Sequence, residues 1–245
     1  MRSSAPGQGS RVQVNLLDGF ELSIGEAAVA VPSTAQRLLA YLALSSRPVL
    51  RVRLAGVLWL KTPEDRACAN LRSALWRLRR FGAGVVDASG ERVCLGREVQ
   101  VDVRGAIDLA RRVLDGPVDE EVLDVDPAPL CRDLLPDWYD DWVLLEREHY
   151  RQLRLHALEA LCDRYTRSGR LALAMEAGLA SLAAEPLRES AHRAVISVHL
   201  AEGNVAEALR QYRIYRGLLQ EHLGLEPSSQ IEELVYGRAE METIR

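Results

Sequence analysis

The residues with the most evident chemistry lie in PEDRACANLRSALWRLRRF, residues 63–81. Wound as a helix of about 3.6 residues per turn, the segment puts Ala67, Leu71, Ala74, Leu75, Leu78 and Phe81 on one stripe. Arg66, Ala69, Ser73, Trp76, Arg77 and Arg80 fall on the opposite side, with Arg72 and Arg79 at the flanks. Five of these eight outward positions are arginine and none is acidic. A helix that only faces solvent mixes Glu with its basic residues at i, i+4, yet no acid follows Asp65 until beyond Phe81. A membrane-surface helix needs exposed Leu or Phe beside its charge, whereas this apolar stripe is required to close a core. DNA reading explains the residue types. Arginine forks pair with guanine edges in the major groove and clamp phosphates, and a serine hydroxyl reaches phosphate or base. Trp76 either presses on sugar or thymine methyl groups or packs against a neighbouring hairpin. Partial packing is the expectation, because a lone exposed Trp is uncommon.

That hairpin is readable downstream. Val85-Val86 and Val93-Cys94-Leu95 flank the turn Asp87–Arg92, and the strand Val99–Val103 is placed to return beside them. Arg92 on such a hairpin would lie over the DNA backbone or minor groove, as a wing does. Arg37, Arg51 and Arg53 are candidate phosphate contacts, which set register without reading sequence. The candidate DNA-contacting set is therefore Arg66, Arg72, Ser73, Trp76, Arg77, Arg80, Arg92, Arg37 and Arg53.

The elements that must hold these residues follow from periodicity. Val12, Val14 and Leu16 alternate with polar residues, Asp18-Gly19 turns, and Phe20, Leu22 and Ile24 resume the alternation before Gly25-Glu26 and Val29. A small antiparallel meander is expected, closed by Pro32. Two helices precede the arginine helix: one over residues 36–44 capped by Ser33 or Thr34, and one over about 52–60. Thr62-Pro63 reads as a cap with Pro at the first helical position. After residue 104 the pattern is helical, with a helix over Ala106–Leu114 and an acidic, Pro-rich loop over 115–136. Helices then follow over about 138–167, 171–184, 187–202 and 205–222, with a last one from Pro227 to about 242. SGRLALA at 168–174 echoes EGNVAEA at 202–208, and Gly169 and Gly203 lie 34 residues apart. That is the period of a tetratricopeptide helix-turn-helix repeat.

Charge divides the chain at the same place. Residues 1–104 carry 15 Lys+Arg and 9 Asp+Glu, a net +6; residues 105–245 carry 16 and 26, a net −10. A basic half follows a polyanion and an acidic half is repelled by it. The expected fold is mixed: a flexible tail at 1–10, an α+β winged-helix domain at 11–104, and an all-α tetratricopeptide-like domain at 105–245. The four cysteines form no CxxC pair, which fits reduced thiols in the cytoplasm. Residues 1–10 lack the apolar core of a signal peptide, and no apolar run approaches membrane-spanning length, so no membrane partner is expected. No catalytic set, cofactor or metal is expected. His149 and His156, like His192 and His199, stand two helical turns apart, about 10 Å, too far for one zinc ion. Asp119-Glu120-Glu121 with Asp124 and Asp126 lacks the glycine and spacing of a calcium loop. Asp137, Asp140 and Asp141 beside Trp138 and Trp142 read as a helix start, where acids suit the dipole.

Several stretches, in order, resemble a known family. QRLLAYLAL (36–44), RLAGVLW (53–59) and NLRSALWRLRR (70–80) look like the OmpR-type winged helix of the Streptomyces antibiotic regulatory protein family. LPDWYDDWVLLERE (135–148), the pattern over Leu155–Cys162, EPLRESAHR (185–193) and EALRQYRIYRGLLQEHLGLEPS (207–228) look like its bacterial transcriptional activation domain. The resemblance implies binding of repeated promoter sites as a side-by-side pair, and recruitment of RNA polymerase through its sigma or alpha subunit. It also implies control of secondary-metabolite clusters such as antibiotic biosynthesis. It assigns the recognition helix to Arg66–Arg80 and the wing to about Val85–Leu95. Larger relatives append an ATPase, but this sequence has no GxxxxGK[ST] phosphate loop. The expected function is a sequence-specific transcription regulator, an activator by the resemblance, with a repressor left open because binding DNA does not fix the sign of the effect. The alternatives are an adaptor whose winged helix does not read DNA, and a small-molecule binder or enzyme in the helical half.

Overall fold

A computed structural model describes residues 11–82, 84–88, 90–116 and 125–243, with side chains to residue 237. The expected tail at 1–10 and most of the acidic stretch, Asp119 to Asp124, lie outside the described residues. The chain divides into two units, 1–105 with 133–149, and 106–132 with 150–245.

The first unit begins with β1 (Val12–Asn15), β2 (Glu21–Ile24) and β3 (Ala27–Val29), an antiparallel meander as the alternation predicts. Val14 pairs with Leu22, and both are fully buried. The turn uses Asp18 (φ 62°) and Gly19 (φ 144°), backbone that Asp and Gly tolerate best. Three helices follow: α1 (Ser33–Leu44), α2 (Arg51–Leu58) and α3 (Glu64–Arg79). Pro32 and Pro63, rather than Ser33, Thr34 or Thr62, sit at the N-caps of α1 and α3, and neither makes a side-chain cap bond. Their fixed φ (−60° and −53°) sets the entry of the chain into each helix. Glu64 and Asp65 in the first turn of α3, with Arg77 and Arg79 in the last, complement its dipole. Leu38, Leu39 and Leu42 of α1, Leu54 and Leu58 of α2, and Leu71, Leu75 and Leu78 of α3 are buried together. Burial stabilises by roughly 1.5–3 kcal/mol per leucine, which fixes the rotation of α3 about its axis.

The hairpin forms from β5 (Val86–Asp87) and β6 (Arg92–Leu95). It pairs with β4 (Val49–Leu50), not with the following strand as the sequence suggested. That strand, β7 (Val99–Val101), runs parallel to β1 instead, giving the sheet order β3-β2-β1-β7. Val99 and Val101 thereby bury on the same core face as Val14, and β4 takes the free edge of β6.

Residues 133–149 return to the first unit. The backbone N–H of Asp18 donates to Asp133 O (2.7 Å) and that of Leu135 to Leu16 O (2.9 Å), and Leu17 bridges Leu134. Trp138 stacks on Phe20 (centroids 6.0 Å apart) and meets Trp142 edge-on (6.4 Å), and Trp142 meets Tyr41 (5.2 Å). The tryptophans of this segment therefore belong to packing, and Asp140 is paired with Arg37.

The second unit is helical. It comprises α4 (Asp102–Asp115) from Ala106 on, α5 (Asp141–Arg167) from Tyr150 on, α6 (Leu171–Ala184), α7 (Glu189–Ala201), α8 (Val205–Leu223) and α9 (Ser229–Thr243). The 34-residue echo is structural. Gly169 and Gly203 end their helices at φ 74° and 77°; Arg170 N–H donates to Tyr165 O (2.9 Å) and Asn204 N–H to His199 O (2.8 Å). Ala174 and Ala208, matched in the repeat, are both fully buried. Side-chain volume is limited at Gly178 too, where a Cβ would lie 2.8 Å from a methyl of Val195 and 3.2 Å from Cys162 Sγ. The fold is thus a mixed α+β unit followed by a helical-repeat unit. Among the described residues, no helix is long and apolar enough to cross a membrane.

Candidate nucleic-acid interface

The packing of α3 decides which of its side chains are available. Ala67, Leu71, Ala74, Leu75 and Leu78 are buried, and Phe81 is half-buried. Arg66, Arg72, Ser73, Trp76, Arg77, Arg79 and Arg80 are exposed. Ordinary core burial thus presents a cationic face along the helix. Among the described residues, no carboxylate pairs with Arg66, Arg72, Arg77 or Arg80. At about 1.5 Å rise per residue, Arg66 and Arg80 stand about 21 Å apart along the axis. A major groove is roughly 12 Å wide, so the middle of this face can enter it while both ends meet the flanking strands.

Trp76 is 63% exposed, and the guanidinium of Arg80 lies over its ring, 5.8 Å from the centroid, a cation–π geometry. Ser73 Oγ donates back to Ala69 O (3.1 Å), the usual fallback of a helical serine. Arg77 reaches Thr34 Oγ1 at 3.3 Å.

The remaining arginines divide by what they touch. Arg53 stands exposed on α2. Arg37 pairs with Asp140 on a half-buried contact, so the structure withdraws it from the outward set. Arg51, also read as a phosphate contact, instead pins the hairpin turn: Nε donates to Gly90 O (2.8 Å) and Nη2 to Ala88 O (2.7 Å), while its backbone N–H donates to Glu91 O (2.9 Å). Arg92 stands on β6, not at the turn, and Nη1 donates to Pro48 O (3.1 Å). Sequence reasoning also missed arginines with structural roles, Arg104 and Arg147 among them. Arg104 donates to Ala43 O (3.0 Å) and Ser45 O (3.3 Å), satisfying carbonyls at the end of α1. Arg147 donates to the carbonyls of Leu134, Leu135 and Trp138, gripping the returning segment. No periodicity signals such roles, because carbonyl acceptors carry no residue identity.

Other chemistry-bearing groups are engaged in packing. Burial pushes the Cys162 thiol up to about 12 and also raises that of Cys131, so neither is an activated thiolate. His192 is buried, with Nε2 2.9 Å from Pro186 O and Nδ1 2.9 Å from the Gln211 amide. Among the described residues, no group of three or more His, Cys, Asp or Glu could hold a metal ion.

Known proteins share this architecture. The family described as the bacterial transcriptional activator domain matches residues 96–236. Regulatory protein AfsR of Streptomyces coelicolor is 31% identical over 231 residues, covering 89% of this chain and 22% of AfsR. The structure of Mycobacterium tuberculosis EmbR in complex with a low-affinity phosphopeptide superimposes with a TM-score of 0.76 at 20% identity, over 93% of this chain and 64% of that one. The chain thus spans about a fifth of the curated relative's length.

Proposed function

The chain belongs to the bacterial transcriptional activator domain family, and on that premise we propose that it regulates transcription by reading double-stranded DNA through α3. The membership bears out the resemblance to the Streptomyces antibiotic regulatory proteins drawn from the sequence. The observation that carries the DNA reading is the outward face of α3, where Arg66, Arg72, Arg77 and Arg80 stand exposed with no carboxylate partner among the described residues. Arg72 and Arg77, mid-helix, pair with base edges, and Arg66 and Arg80 grip the flanking phosphates. Arg53 adds a phosphate contact from α2. Arg51 and Arg92 act one step back, by holding the hairpin that serves as the wing.

The protein acts in the cytoplasm as an activator. It occupies promoter repeats with a second copy beside it and recruits RNA polymerase through the sigma or alpha subunit, for genes of a secondary-metabolite cluster. The family supports this reading, and the acidic, repeat-built second unit suits a protein partner better than a polyanion. The test is binding of the purified protein to its own upstream promoter region, against scrambled competitor, at two salt concentrations. Tight, competitor-resistant binding that weakens with salt is the expected result. Binding no better than to scrambled DNA would favour the adaptor reading.

A further inference from the structure

Trp76 is the part of the α3 face that guanine pairing and phosphate clamping leave unused. The residue is 63% exposed at the middle of that face. Arg80, one turn on, lies over the ring at 5.8 Å and steadies it. Arg72, one turn back, is exposed, and Ser73 is turned inward to Ala69 O. A broad apolar surface is therefore held outward between two guanidinium groups, where solvent exposure of a Trp is unfavourable. An occupant must be apolar where it meets the indole and anionic or acceptor-rich on both sides. Base edges in the major groove display donors and acceptors and one apolar group, the 5-methyl of thymine.

We infer that Trp76 packs on the 5-methyl group of a thymine, making one position of each bound site thymine-dependent. The inference rests on the DNA reading of α3 and names the base that reading leaves unassigned. The thymine lies between the contacts made by Arg72 and Arg80, because the indole lies between them on the helix.

The test uses the full chain. Duplexes are selected from a randomised double-stranded DNA pool, and each thymine of the selected site is then replaced by deoxyuridine. Deoxyuridine keeps every hydrogen-bonding group and removes only the methyl. Wild-type affinity is expected to fall about three- to tenfold at one position per site, the scale of one buried methyl group. Trp76→Ala, folded by circular dichroism, should bind the thymine and deoxyuridine duplexes alike, and Trp76→Phe should keep part of the discrimination. If every replacement leaves wild-type binding unchanged, or if the thymine effect persists in Trp76→Ala, the inference is overturned while the DNA reading stands. If the wild-type protein enriches no duplex, the DNA reading fails and the inference falls with it, leaving Trp76 as a surface for a protein partner.

Discussion

Arg72 and Arg77 can be removed without disturbing the core, since both are exposed and, among the described residues, the one side-chain hydrogen bond that either makes is Arg77 to Thr34 at 3.3 Å. Arg72→Ala with Arg77→Ala should change folding stability by no more than about 0.5 kcal/mol. Each lost base contact should cost about 1–3 kcal/mol of specific affinity, so thermal melting and promoter binding should separate; unchanged binding would rule out this face. His192 makes the opposite case, a polar residue whose role is wholly internal. It is 2% exposed, and its ring stacks 4.4 Å from that of Tyr215. Pro186 O can only accept, so Nε2 carries the proton and Nδ1 accepts from Gln211, which satisfies the neutral ring. Burial holds its pKa below 6.5. The unfolded chain therefore binds the proton first, and the stability that His192 contributes is present above about pH 6.5 and lost as pH falls below it. Urea midpoints followed by far-UV helicity should drop between pH 7.5 and 5.5, and the drop should be smaller in His192→Gln. Helicity is the right signal because the four tryptophans all lie in the first unit. Equal slopes in the two proteins would assign the titration elsewhere. Below about pH 4.5 Glu189 acts in the same direction: burial raises its pKa, but hydrogen bonds from Ser228 and Tyr215 outweigh that and hold it low.

At the scale of elements, helix positions were legible because burial and period coincide. Leu71, Leu75 and Leu78 predict the inward side of α3, and the structure buries them. The partner of β7 was not legible, because Val99 and Val101 alternate equally well beside β6 or β1 and only tertiary competition chooses. The return of residues 133–149 to the first unit was hidden likewise, since a helix start with two tryptophans reads the same whichever unit it packs on. The repeat was legible from its glycines, and their roles can be separated by sign. Gly203 sits at φ 77°, and no atom lies within 4 Å of where its Cβ would be. Gly203→Ala should therefore cost about 1 kcal/mol through backbone strain alone. Gly217, exposed inside α8 with the same open space around it, should gain about 0.5–1 kcal/mol as Ala. Urea unfolding of the two variants, both within the second unit, should move in opposite directions. Two losses of similar size would mean that space, not conformation, governs these sites.

Across the whole molecule, charge favours the first half for the proposed DNA contact: residues 1–104 carry a net +6 and the rest a net −10. Carboxylate-rich helices repel a polyanion at long range, so salt affects encounter and grip together. If about five phosphates are neutralised, affinity should fall several-hundred-fold between about 50 and 200 mM salt, because log affinity declines by about 0.9 per phosphate for each tenfold rise in salt. The geometry of α3 sorts its arginines within that total. On the proposed reading, Arg66 and Arg80, about 21 Å apart along a helix set across a roughly 12 Å groove, would lie over the two backbones. Removing either should lower the salt slope by about 1 and weaken all sequences alike. Arg72 and Arg77, in the middle, should leave the slope nearly unchanged when removed, while the preference for the cognate site collapses. Titrations of Arg66→Ala and Arg72→Ala at four salt concentrations, on cognate and scrambled duplexes, separate the two roles. An inverted pattern would mean that the helix enters the groove by its N-terminal end rather than across its middle, and base reading would then pass to Arg66.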